Sequence, residues 1–575
     1  MTRTPGKVSL GNRLAMWRAL RAPAATGFVS QPEPRSIGLY ARGRQLVAGN
    51  FQLAGQVVEA PGVSIWDVQI DDPALAEETQ GFLWLDDLAA LGDYGARARA
   101  QEWTWDWIAR FGLGKGPGWT PDLIGRRLIR LINHALFLLS GRDRGQAQAY
   151  YRSLSAQVVF LTRRWGQAAP GLPRFEALTG LIYAGLALTG MQARVAPAVA
   201  ALAEEAAREI DADGGIPTRN PAELLEVFTL LTWAEQALSE AGRMPPPALV
   251  QALERIAPTL RALRHADGGL ARFHGGGRGI EGRLDQALAA SGVKPVSTVR
   301  HALAMGFARM AEARTTVIVD AAAPPGAAAG LWAHASTGAF ELTSGRRPVI
   351  VSCGSGAPFG SEWRRAGRAT ASHSTLAVDG YSSSRLQAGG GREVLVDRAQ
   401  VTALRQGDLP DGQHLYLAQS GWSLTHGLTH TRDLLLSTDG RHLSGIDCLV
   451  AQTVAERQRF EQLMTEGRLQ GIGVTVRFHL HPDVDAALDM GGSAVSLALK
   501  SGEIWVFRHD GHAKLSLETS VYLEKTRLKP RSTRQIVLSA HAMELETRIG
   551  WTLAKAQDTP LAIRDLDREE MPVPI

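Results

Sequence analysis

The fold of this chain is decided by the stretch Trp332-Ala-His-Ala-Ser-Thr-Gly-Ala-Phe-Glu-Leu342 and the two segments that follow it, Arg347-Pro-Val-Ile-Val-Ser-Cys-Gly354 and Ala371-Ser-His-Ser-Thr-Leu-Ala-Val-Asp-Gly380. Each segment contains a short run of apolar and β-branched residues close to a glycine, which predicts a β-strand. Two of them carry a histidine, His334 and His373, about forty residues apart. If the strands are neighbours, the two imidazoles share one site.

The periodicity of the chain changes after Pro324-Pro325-Gly326. From about residue 75 to residue 315, apolar residues recur at three- and four-residue spacing, which is typical of amphipathic helices. One helix opens at Thr120-Pro121, where Thr120 can cap the helix and Pro121 suits its first position. Beyond the prolines the spacing becomes two, as in strands. We predict further helices over 144–165, 176–190, 193–210, 221–241, 246–264 and 296–313.

These two halves predict a multidomain α+β protein, in which an N-terminal incomplete α/α toroid is followed by a C-terminal antiparallel β-sandwich. Repeated helices joined by short loops stack as antiparallel pairs and close into part of a ring. Hairpin signals at Thr438-Asp-Gly440 and Ser501-Gly502 support the sandwich. The expected domains are an extension with short strands, the toroid and the sandwich, over 1–74, 75–318 and 325–575.

The composition is that of an ordinary globular protein. A chain of 575 residues is too long for a single core, and 45% hydrophobic with 21% charged residues is typical of soluble domains. The net charge of +5 permits an acidic ligand and does not indicate nucleic acid. Two cysteines, Cys353 and Cys448, are too few for a disulfide framework or a CxxC zinc site, which leaves one disulfide or two buried thiols.

Targeting signals are missing from the sequence. The basic segment 1–38 has no continuous apolar run, so we expect no standard secretory signal. A run of about 18 apolar residues is also missing, so we expect no transmembrane helix.

The three opening segments resemble those of the heparinase II/III family of polysaccharide lyases, and the resemblance extends from about Phe82 to about Val537. It implies a cleft between toroid and sandwich, an acidic polysaccharide substrate such as a glycosaminoglycan, and a location in the cell envelope. Because we find no export signal, a cytoplasmic location is the alternative. Weaker matches lie at Trp119-Thr-Pro-Asp122, Asp213-Gly-Gly215, Asp267-Gly-Gly-Leu270 and Pro530-Arg-Ser-Thr-Arg-Gln-Ile-Val-Leu538.

The His-x-His-Ala-Asp segment of that family is altered in this chain. His334 matches the second histidine, Trp332 stands in the place of the first, and Ser336 replaces the aspartate. In several relatives the second histidine, an aspartate on the next strand and a later histidine bind a metal. Here His334 and His373 remain, while Ser352 takes the place of that aspartate. The resemblance therefore implies one divalent metal, zinc, on the two histidines; the alternative is a pair of hydrogen-bonded core histidines.

The helical half departs further from the family pattern. Relatives place Asn-His before a helix that resembles 176–185, whereas Leu172 and Pro173 stand there in this chain. Relatives also carry a tyrosine acid or base after the Asp-Gly-Gly segment, and Glu223 stands at the matching position. The pair Asn133-His134 is a candidate replacement for the missing Asn-His.

A lyase that cleaves a uronate polymer by β-elimination must neutralise the carboxylate, remove the C5 proton and protonate the leaving oxygen. Arg174 and Arg219 are candidate carboxylate ligands because guanidinium pairs bidentately with carboxylate; surface or capping roles are the alternative. Trp332 is a candidate sugar-stacking surface. The candidate acids and bases are His373, His334, Glu223 and Tyr183, and packing is the alternative for the tyrosine.

Three further motifs have competing explanations. Asn220-Pro-Ala-Glu223 is a capping-box pattern, although Glu223 could also pair with Glu226 or Glu176 in a hydrolase. The glycine-rich segment 274–279 predicts a flexible loop over the cleft. His479-Leu-His481 predicts two imidazoles on one face of a strand, either a metal site or a solvated face.

We therefore predict a heparinase II/III-like protein that cleaves an acidic polysaccharide or oligosaccharide by β-elimination. A catalytically decayed glycan-binding protein and a carboxylate-based glycoside hydrolase are the alternatives. No nucleic-acid partner is expected.

Overall fold

The structure is a computed structural model of the chain. It describes residues 10–29, 34–53, 56–70, 74–295, 301–389, 392–467, 470–524, 527 and 529–558.

Helices occupy most of the first half of the described chain. Their bounds are Leu10–Leu20 (α1), Tyr40–Ala48 (α2), Ala74–Gln80 (α3), Leu83–Leu91 (α4), Tyr94–Phe111 (α5), Pro121–Asn133 (α6), Ala135–Leu139 (α7), Arg144–Arg164 (α8), Leu172–Ala187 (α9), Val195–Glu209 (α10), Pro221–Glu240 (α11), Pro247–Ala262 (α12) and Arg283–Ala290 (α13). Three short helices follow among the strands, at Ser361–Gly367 (α14), Ser423–His426 (α15) and Val454–Glu466 (α16).

Strands occupy most of the second half, after the small hairpin Asn50–Leu53 (β1) and Gln56–Glu59 (β2). Their bounds are Phe307–Glu312 (β3), Thr315–Asp320 (β4), Phe340–Ser344 (β5), Arg347–Val351 (β6), Leu376–Val378 (β7), Arg385–Gly389 (β8), Arg392–Val396 (β9), Val401–Leu409 (β10), Gly412–Trp422 (β11), Leu428–Ser437 (β12), His442–Val450 (β13), Ile472–Leu480 (β14), Val484–Asp489 (β15), Ala494–Leu499 (β16), Ile504–His509 (β17), Lys514–Tyr522 (β18), Arg531–Ala542 (β19) and Glu546–Gln557 (β20).

Two antiparallel sheets face each other. One has the order β10-β11-β12-β13-β20-β17-β16-β15, and the other β18-β19-β14-β6-β5-β4-β3 with β7 beside β14. Their apolar faces meet in one core, where Phe340 stacks on Trp551 at 5.7 Å and Phe478 contacts Phe507 at 4.8 Å between ring centroids. The predicted hairpins at Thr438-Asp-Gly440 and Ser501-Gly502 join β12 to β13 and β16 to β17.

Close backbone contact holds the helices together. A Cβ atom on Gly125 of α6 would lie 2.2 Å from the carbonyl oxygen of Glu176 in α9, and one on Gly180 would lie 2.6 Å from the Cα atom of Gly125. Only glycine permits this approach, because a side chain at either position would overlap backbone atoms.

Local chemistry explains where several helices begin. Asp143 caps α8 and Asn220 caps α11, each by accepting hydrogen bonds from backbone N–H groups of the first turn. Pro121 occupies the first turn of α6 as predicted, but Thr120 makes no capping hydrogen bond, so that part of the prediction is wrong.

The predicted helix over 296–313 is wrong for residues 301–313, which the structure describes. Residues 296–300 lie outside the described residues. Phe307–Glu312 is a strand that pairs with Thr315–Asp320 in antiparallel register. Positive φ angles at Gly306 and Ala313, of 79° and 49°, turn the chain at both ends of this strand. The pairing supplies the backbone hydrogen bonds that a helix would otherwise make, so tertiary context overrides the apolar spacing.

Within the described part of the chain, every helix is too short or too polar to cross a membrane.

The close approach of α6 and α9 predicts the effect of a single methyl group. We expect Gly125→Ala to lower stability by ~1–3 kcal/mol, because the new Cβ meets the Glu176 backbone. Gly166→Ala is the matched control, since nothing lies within 4 Å of its Cβ position. Thermal melting followed by circular dichroism checks this; equal melting temperatures for the two variants would contradict the packing described.

Candidate functional site

Three buried histidines cluster where the helical half meets the sandwich. His274 lies in the loop between α12 and α13, His334 follows the turn Ala327–Trp332, and His373 lies just before β7. Ring centroids are 6.3 Å apart for His274 and His334, and 5.2 Å apart for His334 and His373. The structure thus brings the two predicted histidines together and adds His274 to them.

The loop that carries His274 is packed rather than flexible, so that prediction is wrong. Residues 271–277 are all buried. A Cβ on Gly275, whose φ is 83°, would lie 3.1 Å from the Cβ of Trp332, and one on Gly276 would lie 2.8 Å from Oδ1 of Asn220. Gly275 and Gly276 therefore let the loop backbone lie close to Trp332 and Asn220, where a side chain would overlap these residues.

Hydrogen bonding settles which nitrogen of His274 carries the proton. The backbone N–H of His334 donates to Nδ1 of His274 at 3.2 Å, so Nδ1 is an acceptor and Nε2 carries the hydrogen. Nε2 lies 3.4 Å from Oδ2 of Asp320. Burial lowers the pKa of His274 and outweighs the attraction of that carboxylate, which leaves the imidazole neutral.

Asp320, at the end of β4, is the centre of the polar network. Its carboxylate is fully buried and accepts from Arg219 Nη2 at 2.6 Å and from Ser336 Oγ at 2.6 Å. Burial alone would raise the pKa of Asp320, but Arg219 and His274 outweigh it and hold this pKa well below the usual range. Asp320 is therefore an anion inside the protein.

Arg219 ties the two halves of the molecule together. Besides Asp320, it donates to the backbone carbonyls of Met305, Gly306, Ala322 and Ala323. Its backbone adopts a left-handed φ of 50°, which is unfavourable for a residue with a side chain and is retained because so many hydrogen bonds define its position. Each guanidinium nitrogen of Arg219 donates to an acceptor within the protein. The side chain is therefore not free to bind the substrate carboxylate that the sequence predicted as its ligand.

His373 is neutral and enclosed. Burial lowers its pKa to about 3, and Nδ1 lies 3.0 Å from Oγ of Ser352. A neutral imidazole can accept a proton, but a general base must come within about 3 Å of the proton it removes. His373 has no solvent-exposed surface, and His334 is only 2% exposed. A polymer chain does not reach either ring in this conformation.

Trp332 is the predicted site residue that faces solvent. Its side chain is 43% exposed, and the guanidinium carbon of Arg364, on α14, lies 4.2 Å from the ring centroid. Trp363 and Arg365, the two neighbours of Arg364, are exposed as well. We call Trp332, Trp363, Arg364 and Arg365 the aromatic–arginine patch. It lies directly beside the glycine loop and two residues before His334.

Residues 294–552 match the family model described as heparinase II/III-like, C-terminal. The chain carries a heparinase II/III-like C-terminal domain. The matched range contains His334, His373 and Asp320, together with nearly the whole sandwich.

Solved structures of heparinase-like proteins share the fold over nearly the whole chain. A heparinase III structure is 13% identical and covers 95% of this chain and 89% of its own, with a TM-score of 0.66. A mutant heparan sulfate lyase from Pedobacter heparinus is 14% identical and covers 96% and 88%, with a TM-score of 0.58. At such identities the similarity concerns the fold, and it confirms the predicted toroid followed by a sandwich.

A curated relative extends along the whole chain as well. FtsZ-localized protein C of Caulobacter vibrioides (strain NA1000 / CB15N) is 29% identical, and the alignment covers 94% of this chain and 96% of that protein.

The heparinase-like domain of this chain does not fit the divalent metal that its family resemblance implied. Ser352 replaces an anionic ligand, and its hydroxyl is already hydrogen-bonded to Nδ1 of His373. Zinc sites are built from thiolate, imidazole or carboxylate donors. Among the described residues, no group of three His, Cys, Asp or Glu side chains is arranged to hold a metal ion.

Arg174 and Tyr183 are occupied or enclosed. Arg174 pairs with Glu205 at 3.1 Å and donates to the carbonyl of Ala168 at 2.8 Å. Tyr183 is 4% exposed, and burial raises its pKa well above the usual value. A tyrosine that resists ionisation in this way is a poor catalytic base.

Glu226 and Glu176 of the helical half are engaged in ion pairs, and the backbone of Glu223 takes part in a helix cap. The backbone N–H of Glu223 donates to the capping oxygen of Asn220 at 3.3 Å, as the capping pattern predicted. Glu226 pairs with Arg283 at 2.5 Å, and Glu176 pairs with Arg126 at 2.5 Å. Burial raises the pKa of Glu176 to about 7.

Two further expectations concern histidines outside the cluster. His134 bonds Asp86 through Nε2 at 2.8 Å and is buried, so it serves the helix packing. His479 and His481 are 3% and 4% exposed, which makes the predicted solvated strand face wrong. His479 lies against Cys353 and Ser520, and His481 packs edge-on against Tyr522.

Sequence reasoning missed His274, Asp320 and Arg364. Asp320 had a usable signal, because a lone carboxylate ends the otherwise uncharged strand Thr315–Asp320, and a buried charge needs a partner. Arg364 had no signal, since its partner Trp332 lies on a separate turn of the chain.

The buried pair predicts a large stability effect. Asp320→Ala leaves Arg219 as an uncompensated buried charge, and we expect a loss of about 3–5 kcal/mol. Asp285→Ala is the control, because Asp285 forms an exposed pair with Arg264 and should cost less than about 1 kcal/mol. Urea unfolding followed by tryptophan fluorescence measures both, and similar midpoints for the two variants would refute the assigned role.

Proposed function

We propose that this heparinase-like protein binds an acidic polysaccharide at the aromatic–arginine patch and does not cleave it. The observation that carries the proposal is the stack of Arg364 on Trp332, 4.2 Å from the ring, on a tryptophan that is 43% exposed. An exposed indole next to a fixed guanidinium offers an apolar face for a sugar ring and a cation for its carboxylate or sulfate.

The arginines of the patch are available for an anion. Arg364 is half-buried against Trp332. Arg365 is 66% exposed, and the carboxylate of Glu393 lies 3.8 Å from its Nε. Glu362 on the same helix is also exposed, so the two arginines leave the helix with an excess of one positive charge, which favours an acidic ligand over a neutral one.

The absence of turnover is proposed because the candidate catalytic groups are already engaged. Arg219 pairs with Asp320, Arg174 pairs with Glu205, and His373 has no exposed surface. β-Elimination needs a base at the C5 proton and a cation at the carboxylate at the same time. Arg219, Arg174 and His373 do not offer this combination to a substrate.

Binding measurements test the patch. We expect Trp332→Ala and Arg364→Ala each to weaken binding of heparin or polygalacturonate oligosaccharides by roughly tenfold, equivalent to about 1.4 kcal/mol. Trp17→Ala is the matched control, because Trp17 is 55% exposed and carries Arg21 at 3.7 Å in the same kind of stack. Isothermal titration calorimetry measures all three variants. Equal affinity of Trp332→Ala and Trp17→Ala for every polymer would count against the proposal.

Cleavage by β-elimination is the second candidate, and the neutral imidazole of His373 within a heparinase II/III-like domain favours it. We expect no new ultraviolet absorbance from unsaturated uronate when the purified protein is incubated with a panel of uronate polymers. Absorbance that disappears in His373→Gln would establish the lyase instead. Saturated reducing ends lost in Glu223→Gln would identify a hydrolase.

A place in the cell is proposed from the curated relative. Because FtsZ-localized protein C aligns with 94% of this chain at 29% identity, we infer that this protein also localises with FtsZ in the cell. A fluorescent fusion expressed in Caulobacter vibrioides should form a band that coincides with labelled FtsZ. A band that persists in cells depleted of FtsZ, or uniform fluorescence, would contradict this inference.

A further inference from the structure

A thiol and an imidazole lie in contact just beyond the end of β6. Sγ of Cys353 is 3.5 Å from Nδ1 of His479, and both side chains are buried. Nε2 of His479 lies 2.9 Å from the carbonyl oxygen of Ala371. A carbonyl only accepts, so Nε2 carries the hydrogen and Nδ1 has a lone pair, which accepts from Oγ of Ser520 at 2.8 Å. Since Sγ is also 4.0 Å from Nε2, the sulfur lies over the face of the ring, and Ser520 is the polar link between the thiol and Nδ1.

A partly exposed serine borders this pair. Oγ of Ser520 lies 2.8 Å from Nδ1 of His479 and 3.9 Å from Sγ of Cys353. Ser520 is half-buried and belongs to β18, the outermost strand of its sheet. It is therefore the residue of this cluster through which a molecule as small as hydrogen peroxide would come close to the sulfur.

A buried cation borders the same pair. Nη2 of Arg272 donates to the carbonyls of Cys353 at 3.1 Å and Leu523 at 3.0 Å, and its guanidinium lies over Tyr522. Arg272 is 4% exposed, and its Nε and Nη1 have no hydrogen-bond partner among the described residues. A buried guanidinium with two free donors is a place for negative charge.

The two cysteines of the chain differ in their surroundings. Burial alone would raise the pKa of the Cys353 thiol, but His479 and Arg272 outweigh it and hold this pKa below the usual value. For Cys448, burial and Glu546 together raise the pKa to about 11. Thiolate is the reactive form, so nucleophilic chemistry favours Cys353 although it is the more buried of the two.

We propose that Cys353 is a peroxide-reactive thiol, which hydrogen peroxide oxidises to a sulfenic acid at the contact between toroid and sandwich. The thiol gives its proton to Oγ of Ser520, and that hydroxyl passes its own proton to Nδ1 of His479, while sulfur attacks one peroxide oxygen and the O–O bond breaks. The leaving hydroxide takes the proton back as water. Sulfur loses two electrons, the peroxide gains them, and Arg272 stabilises the negative charge on sulfur.

The experiment uses the full-length protein, hydrogen peroxide and dimedone, with mass spectrometry of the two cysteine peptides. We expect Cys353 to be labelled at least about tenfold faster than Cys448. His479→Gln should slow labelling of Cys353 about tenfold and leave Cys448 unchanged, since only Cys353 contacts that imidazole.

Two outcomes would overturn the proposal. One is labelling of Cys448 as fast as Cys353 in the unmodified chain, a comparison that needs no variant and so does not depend on how His479→Gln folds. The other is an unchanged rate for Cys353 in folded His479→Gln. Neither outcome bears on polysaccharide binding, which is measured at Trp332 and Arg364.

Discussion

The buried ion pair between Arg219 and Asp320 is the interaction on which the rest of this structure depends. It joins the segment before α11 to the end of β4, and the guanidinium also satisfies four backbone carbonyls between the two halves. Removing both charges from water costs several kcal/mol each, which only dense hydrogen bonding offsets. The pair therefore fixes how toroid and sandwich meet, and any cleft between them is built around it.

The same pair anchors the polar network in the part of the heparinase-like fold that carries His334 and His373. Asp320 also accepts from Ser336, which stands where the family carries an aspartate, and it faces His274. Asp320, Arg219 and Ser336 thus satisfy one another, whereas Nε2 of His373 is buried without a hydrogen-bond partner among the described residues. Arg219 and Asp320 are occupied by one another, whereas the ring of Trp332 is partly exposed beside Arg364.

The sequence predicts features that arise from neighbouring residues, and misses those that arise from distant ones. Helix starts at Pro121 and Pro221, the strand Ile472–Leu480 and the turn at Gly440 follow from local backbone preferences. Arg219 and Asp320 are 101 positions apart in the sequence, and no local pattern predicts their contact. Phe307–Glu312 is a case in which local spacing predicts the wrong element. Its apolar residues have helical spacing, but the segment forms a strand because it pairs with Thr315–Asp320. The glycine-rich segment 274–279 suggested mobility, whereas packing against Trp332 and Asn220 required Gly275 and Gly276.

The most direct test of the account is an experimental structure of the protein with a bound uronate oligosaccharide. We expect an intact sugar lying on Trp332, its carboxylate or sulfate on Arg364, and the Arg219–Asp320 pair unbroken. A sugar cleaved to an unsaturated product, or one held against His373 after Arg219 has left Asp320, would contradict it.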